Sequence, residues 1–177
     1  MPSGKQRRTP KSYFILAGLE AGVLGGLLML GILTAHSALR TGSPWTPANL
    51  LASTFYGEDA FIPAFRATTL AGIALHLAIT GMLGIVFGLA IRDSGNHLRV
   101  FLIGVICGVG WYYISYRLLW RPLNPLVPLY TAERPMLVGH LMLGAMLGRF
   151  PGWLEGVRRG FSAGRPTVLP ADRSLPG

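Results

Sequence analysis

The most constraining feature of this sequence is a set of long apolar runs that contain almost no charge. Residues 13–35 include one charged side chain, Glu20, and residues 69–91 include none. Residues 100–119 are interrupted only by Arg117, close to the end of the run. Because a bilayer core of ~30 Å requires about 20 helical residues, each run is long enough to cross a membrane. The sequence therefore predicts an all-α integral membrane protein whose main partner is the lipid bilayer.

Composition and charge support this class. Hydrophobic residues make up 51% of the chain and charged residues only 13%, against roughly 25% charged in soluble globular proteins. The net charge of +9 could indicate a nucleic-acid partner. The basic residues, however, flank the apolar runs and occupy the two tails, which is typical of membrane topology. We expect no nucleic-acid partner.

A fourth span is predicted by charge counting, because only 14 uncharged residues run from 135 to 148. With four spans and a cytoplasmic N-terminus, 11 of the 16 Lys and Arg residues are cytoplasmic. With three spans the C-terminal arginines move outside and six remain. The positive-inside rule therefore favours four spans with both termini in the cytoplasm.

The predicted architecture is a four-helix bundle at residues 13–150, between two polar ends. The spans are expected at about 13–36, 66–91, 99–120 and 133–150, after a basic cytoplasmic arm at 1–12 and before a flexible cytoplasmic tail at 151–177. Thr46-Pro47 and Gly57 frame a short helix between the first two spans. We expect it to be interfacial on the outer side, the alternative being a lid packed over the bundle. A second, extended outer loop is expected at 121–135.

An internal repeat relates the second and fourth predicted spans. His76-Leu77-x4-Met82-Leu83-Gly84 matches His140-Leu141-x4-Met146-Leu147-Gly148, and the first and third spans share a weaker Gly-x3-Gly-Val match. The repeat predicts two helical hairpins of the same orientation, as in parallel-repeat membrane proteins. Small residues let helices approach closely through GxxxG-type packing. The expected packing glycines are Gly18, Gly22, Gly26, Gly84, Gly88, Gly104, Gly108, Gly144 and Gly148.

Three ionisable side chains lie within the predicted spans and are the candidate functional residues. Glu20, His76 and His140 each carry an insertion cost of about 2.5 to 3.5 kcal/mol, so each should face a partner or a cavity. The two histidines are at matching repeat positions and could face each other, whereas Glu20 lies at another depth. Three alternatives are open: interhelical hydrogen bonds, a proton or solute path, and bis-histidine ligation of haem b.

A second candidate cluster lies at the predicted outer pole. Tyr113 and Arg117 are i, i+4 neighbours, and Arg117 could pair with Glu133, next to Arg134. An aromatic belt with snorkelling arginines explains the same residues without a binding site. The sequence contains no Walker A motif, Gly-x-Ser-x-Gly, His-Glu-x-x-His or metal-spaced Cys/His set. We therefore expect no catalytic residues and no metal, and the sequence favours a protein that is not an enzyme without deciding the question.

Several segments resemble those of a group of small, uncharacterised bacterial multi-pass membrane proteins. The segments are Ser43-Pro44-Trp45, residues 54–60, residues 124–130 and Gly139-His140-Leu141, and the likeness covers most of residues 13–150. The resemblance implies a location in the bacterial inner membrane. It implies no activity and no site residues.

The functional expectation is an accessory or scaffold subunit of a membrane complex, without cofactor, present as a homo-oligomer or within a larger assembly. One alternative is a small transporter or channel with His76, His140 and Glu20 along a polar path. The other is a membrane protein that binds haem b through His76 and His140.

Overall fold

The computed structural model describes residues 9–92, 94 and 96–163, which are helical apart from short connections. The prediction of an all-α protein is confirmed for this part of the chain. Residues 1–8 of the predicted basic arm and residues 164–177 of the predicted tail lie outside it. The helices are α1 (Lys11–Thr41), α2 (Thr46–Tyr56), α3 (Ala67–Ile91), α4 (His97–Tyr112), α5 (Trp120–Leu123), α6 (Leu126–Tyr130), α7 (Glu133–Gly148) and α8 (Phe150–Ala163).

Among the described residues, three helical stretches are long and apolar enough to cross a membrane. They are Lys11–Thr41, Ala67–Ile91 and His97–Leu123, the last formed by α4, a π-helical segment at Tyr113–Leu119 and α5. In length and composition these stretches agree with the membrane-spanning helices that the sequence predicts. Helix α7 has 16 residues, or about 24 Å of helix, which is shorter than a full bilayer core. The fourth crossing stays a prediction.

The long helices pack side by side in the order α3, α1, α7, α4. Helix α1 contacts α3 on one side and α7 on the other, and α7 contacts α4. Within the described ranges no extended interface joins α4 to α3, so the closed four-helix bundle is not confirmed. The side between α3 and α4 is the one on which a cavity can form.

The backbones of α1 and α3, and of α4 and α7, touch at glycines. A Cβ atom built on Gly18 would overlap the carbonyl oxygen of Gly84, and one on Gly104 would lie 2.5 Å from the Cα of Gly148. We call these contacts the α1–α3 seam (Gly18, Gly22, Gly84, Gly88) and the α4–α7 seam (Gly104, Gly108, Gly144, Gly148). Neither seam leaves room for a side chain, so both exclude water.

Helices α2, α5 and α6 cover one end of the long helices, which we call the capped end. Helix α2 begins at Thr46, with Pro47 in its first turn, and ends before Gly57, whose φ of 70° requires glycine. It packs across α3, where a Cβ on Gly72 would overlap the carbonyl oxygen of Ala48. This packing matches the lid alternative better than a free interfacial helix.

Two buried asparagines hold the capped end together. Asn49 donates from Nδ2 to the carbonyl oxygens of Ile62 (2.6 Å) and Ala64 (3.0 Å) and accepts from the Thr69 hydroxyl at 2.6 Å. Asn124 donates to the carbonyl oxygen of Leu50 at 3.0 Å and so ties the connection between α5 and α6 to α2. Each lost partner would leave a buried polar group unsatisfied, at about 1 to 3 kcal/mol.

One expectation about a connecting segment is wrong. Residues 121–135 are not an extended loop, because α5, α6 and the start of α7 occupy most of them. Pro128 and Pro135 lie in the first turns of α6 and α7, where a missing backbone N–H costs little. Their number suggested an extended chain, but their positions permit helices.

The tail is also helical where it is described, because residues Phe150–Ala163 form α8. Phe150 and Leu154 are buried, Trp153 and Val157 pack beside them, and this spacing of three and four residues places all four on one helix face. The ring of Phe161 stacks on Tyr13 of α1 at 4.9 Å between centroids. The glycine and arginine content of the segment concealed this apolar face.

The glycine seams can be tested with a matched pair of substitutions in α1. Gly22→Val would place its side chain against the backbone of Thr80 and Gly81, whereas a Cβ on Gly31 meets nothing within 4 Å. We expect Gly22→Val to lower the free energy of unfolding by at least about 1 to 3 kcal/mol, since the backbones must separate. Gly31→Val should change it by less than about 1 kcal/mol. Reversible unfolding in mixed micelles measures both, and equal effects would show that the α1–α3 seam is not close-packed.

Candidate functional site

A cavity of about 60 Å³ lies under the capped end, between the facing sides of α3 and α4. Its lining combines residues from all the long helices and from the cap, and it includes both candidate histidines, His76 and His140. Most of the lining side chains are apolar, and among the lining residues there is no Asp, Glu, Lys, Arg or Cys. The apolar part includes Met29, Leu33, Leu50, Ile79, Trp111, Leu119, Trp120, Val127 and Leu143.

His76 projects from α3 and bonds across the helix interface to α1. Its side chain is 7% exposed, and its Nε2 lies 2.9 Å from the carbonyl oxygen of Gly26. A carbonyl oxygen only accepts, so Nε2 carries the proton, and a neutral ring then has its lone pair on Nδ1. Within the described residues Nδ1 has no hydrogen-bond partner. Among the same residues, the side-chain polar atom that has neither a partner nor access to solvent is Oγ1 of Thr68, not Nδ1 of His76. Nδ1 of His76 is therefore accessible, and the cavity is the space that His76 lines.

His140 has the opposite tautomer and is satisfied by protein groups. Its Nδ1 donates to the carbonyl oxygen of Met136 at 2.8 Å, one turn earlier in α7. The lone pair of a neutral ring is then on Nε2, which lies 3.3 Å from the hydroxyl of Ser115. The ring also packs edge-on against Tyr112, with 5.5 Å between centroids. His140 is therefore held in place, whereas His76 keeps one free acceptor.

Ser115 reaches His140 because it lies in the π-helical segment Tyr113–Leu119. A π-helical turn contains an extra residue and changes which side chains face the neighbouring helix. Ser115 and His140 have the donor and acceptor of a nucleophile and its base. Ser115 is only 4% exposed, however, and its oxygen also lies 3.5 Å from the carbonyl oxygen of Tyr112. The contact is that of a buried structural hydrogen bond.

The residues at the cavity do not fit haem or a metal centre. Bis-histidine ligation requires a free nitrogen on each ring aimed at one iron atom. Nε2 of His76 faces Gly26, and both nitrogens of His140 face protein partners. The cavity of about 60 Å³ is the size of a few water molecules, not of a porphyrin. No cluster of three or more His, Cys, Asp or Glu side chains occurs in the described ranges.

A second cavity of about 260 Å³ lies next to the first at the capped end. Four residues line both spaces: Leu33, Pro47, Leu50 and Thr131. The second cavity is also lined by His36, Ser37, Arg40 and Tyr130, of which Arg40 and Tyr130 are exposed. We call it the vestibule. It lies between the exposed residues Arg40 and Tyr130 and the cavity that the two histidines line.

The structure does not bring Glu20 together with His76 and His140. Glu20 is exposed on α1 and lines a shallow groove between α1 and α8, towards the end opposite the cap. The groove is otherwise apolar, with Leu16, Val23 and Val157 among its lining residues. A single polar path through all three predicted residues is therefore not formed by this arrangement.

The predicted outer-pole cluster lies on the surface near the capped end. Nη2 of Arg117 lies 3.1 Å from Oε1 of Glu133, with side chains 48% and 58% exposed. Tyr113 is exposed and packs edge-on against Tyr112, and Arg134 is exposed. An ion pair of this exposure contributes about 0 to 1 kcal/mol. None of the four side chains lines the cavity or the vestibule.

Ser115, Asn49 and Asn124 were not among the predicted residues, because an uncharged polar side chain carries a weaker signal than an ionisable one within an apolar run. Ser115 is a polar residue inside such a run, which is a signal for an interhelical hydrogen bond. Asn49 and Asn124 lie in connections, where an asparagine is ordinarily read as a turn residue. Their burial follows from the packing of the cap on α3, which no local pattern reveals.

No family model, curated protein or solved structure matches this chain. The resemblance to small bacterial multi-pass proteins therefore stays an expectation. The function must be argued from the cavity itself.

The two histidine tautomers give a direct spectroscopic prediction. We expect the ring nitrogens of His140 to show protonation at Nδ1 and those of His76 to show protonation at Nε2, because each faces a carbonyl oxygen. Nitrogen-15 NMR of histidine-labelled protein, assigned with His76→Gln and His140→Gln, measures this. Two rings with the same tautomer would contradict the described hydrogen bonds.

Proposed function

We propose that the protein is a non-catalytic accessory protein of a bacterial inner membrane that holds a small ligand in the cavity between His76 and His140. The observation that carries the proposal is the cavity itself, which is mostly apolar and has a few convergent polar groups. This combination is typical of small-molecule sites. His140 and Ser115, the one pair there with the types of a base and a nucleophile, are buried and bonded to protein groups, which favours binding over acid–base or nucleophilic chemistry.

The glycine seams favour a binding role over a continuous channel. Away from the cap, the α1–α3 and α4–α7 backbones are in contact, so no side-chain-lined path leads from the cavity to the opposite end along either pair. A transporter would have to open the packing between the two seam-joined pairs, at α1 and α7, during each cycle. The cavity at the histidines keeps the transporter as the second candidate, because a transport site also needs a polar pocket near the membrane interior.

The proposed topology has four crossings, with the capped end outside and both termini in the cytoplasm. Arg92, Arg99, Arg149 and Arg159 lie at the end opposite the cap, and such residues are enriched on the cytoplasmic side. The short α7 crosses with help from α8, whose apolar face packs on α1 and whose arginines can lie at the lipid headgroups.

We further propose that the two hairpins derive from one duplicated unit. Gly18 meets Gly84 as Gly104 meets Gly148, and these are equivalent positions of the sequence repeat. The histidines occupy equivalent positions but bond differently, since His76 bonds to α1 and His140 bonds within α7 and to Ser115.

One-sided access to the cavity tests the proposed function. In a Cys107→Ala background, Thr131→Cys would place a thiol where the vestibule joins the cavity, and Asn96→Cys would place an exposed thiol between α3 and α4. A membrane-impermeant maleimide added outside intact cells should label Thr131→Cys and leave Asn96→Cys unlabelled, and the order should reverse in inverted vesicles.

Labelling of Asn96→Cys from outside would overturn the proposed orientation. Failure to label Thr131→Cys from either side would show that the vestibule is closed, and the ligand-binding proposal would then lose its entry route. Thr54→Cys, half-buried in α2 and away from both cavities, serves as the control for general accessibility of the cap.

A further inference from the structure

We infer that the ligand of this cavity is a small, neutral, mostly apolar molecule that donates one hydrogen bond, such as an alcohol, to Nδ1 of His76. The inference rests on the proposed function and names its ligand class. Three properties of the cavity support this inference: an oriented acceptor, a lining without Asp, Glu, Lys or Arg, and a small volume surrounded mostly by apolar side chains.

The acceptor is a built feature of the fold. The bond from Nε2 of His76 to the carbonyl oxygen of Gly26 fixes the ring plane and the tautomer. Gly26 permits this approach because it has no side chain, and Thr80 packs directly over it. Nδ1 thus presents a lone pair from a side chain that is more than nine-tenths buried. A buried acceptor without a partner costs free energy, and a ligand hydroxyl would remove that cost.

The lining selects a neutral ligand. The described lining contains no Asp, Glu, Lys or Arg, and its two histidines are taken as neutral rings, so neither an ammonium group nor a carboxylate would find an opposite charge there. Moving an unpaired ion into such a space is strongly unfavourable. A hydroxyl group is uncharged and still donates, and the apolar side chains around it suit a short hydrocarbon or halogenated body.

Water alone fits this lining less well. By volume the cavity could hold about four water molecules, each requiring two to four polar partners. The hydroxyls of Thr80 and Tyr116 donate to backbone carbonyl oxygens, and His140 is bonded on both nitrogens. A water cluster would need several further partners, such as the indole N–H groups of Trp111 and Trp120 and the hydroxyl of Thr131, whereas an alcohol needs only Nδ1 of His76.

Two tryptophans make binding measurable. Trp111 and Trp120 line the cavity, and Trp45 and Trp153 do not, so a Trp45→Phe/Trp153→Phe background reports on the cavity. The alcohol 2,2,2-trichloroethanol quenches indole fluorescence. Its analogue 1,1,1-trichloropropane has the same shape, with a methyl group in place of the hydroxyl. Saturable quenching by each compound in lipid nanodiscs gives its affinity. We expect the alcohol to bind about five- to tenfold more tightly, the worth of one hydrogen bond to a buried acceptor.

Variants at His76 separate the hydrogen bond from general partitioning into the membrane. His76→Phe should abolish the preference for the alcohol while trichloropropane still quenches, because the acceptor is gone and the apolar space remains. His76→Gln should keep a preference, since its amide can donate to Gly26 and still offer a carbonyl oxygen. The unquenched emission spectrum and the elution volume check that each variant is folded.

The outcomes distinguish the inference from the proposed function. Equal affinity for the two compounds in the background that keeps His76 would overturn the assignment of an alcohol. It would leave the proposal of a ligand cavity intact. No saturable quenching by either compound would overturn the ligand cavity and the inference together, leaving water as the occupant. An unchanged preference in His76→Phe would show that another group selects the alcohol.

Discussion

Backbone contact at glycines is the constraint on which the rest of this structure depends. In a membrane no hydrophobic effect drives helices together, so close approach and packing must supply the association. The two seams bring α3 against α1 and α4 against α7 without side chains between them. Each seam ends near a histidine: Thr80 packs on Gly26 beside His76, and Gly108 meets the backbone of His140. Beyond these points larger side chains separate the helices, and the cavity forms there.

The cap then determines what the cavity can do. Asn49 and Asn124 hold α2 and the α5–α6 connection over the open side between α3 and α4. The resulting space lies next to the backbone contacts of the glycine seams on one side and next to the vestibule on the other. A pocket of this form suits binding from one side of a membrane. Transport through it would require the packing between the two helix pairs to open.

The sequence predicted the helices better than their arrangement. Long apolar runs determine the extents of α1, α3 and α4 because a bilayer demands about 20 apolar residues, and α2 was framed by Pro47 and Gly57. The order α3, α1, α7, α4 depends on which glycines face each other, and no local pattern contains that information. Helix α8 was missed because the spacing of Phe150, Leu154 and Val157 was outweighed by glycines and arginines.

The candidate site was predicted in part. His76 and His140 were selected because an ionisable side chain in an apolar run needs a reason, and both line the cavity. The same argument selected Glu20, which is exposed and lines the groove beside α8. It lies two residues from both Gly18 and Gly22, which meet α3, and residues two apart point to roughly opposite sides of a helix. Ser115 could not be assigned to His140 from sequence, since a π-helical segment brings it there.

In this structure His76 faces an accessible cavity, while the glycine seams exclude water. Solid-state NMR of the protein in lipid bilayers is the most direct test of this. Magnetisation is transferred to the protein from the protons of mobile water or from the hydroxyl proton of an added alcohol. We expect magnetisation transfer to Nδ1 of His76 and none to the backbone amides of Gly22 and Gly104. Transfer to both seams would indicate a hydrated channel, and no transfer to His76 would contradict the accessible cavity.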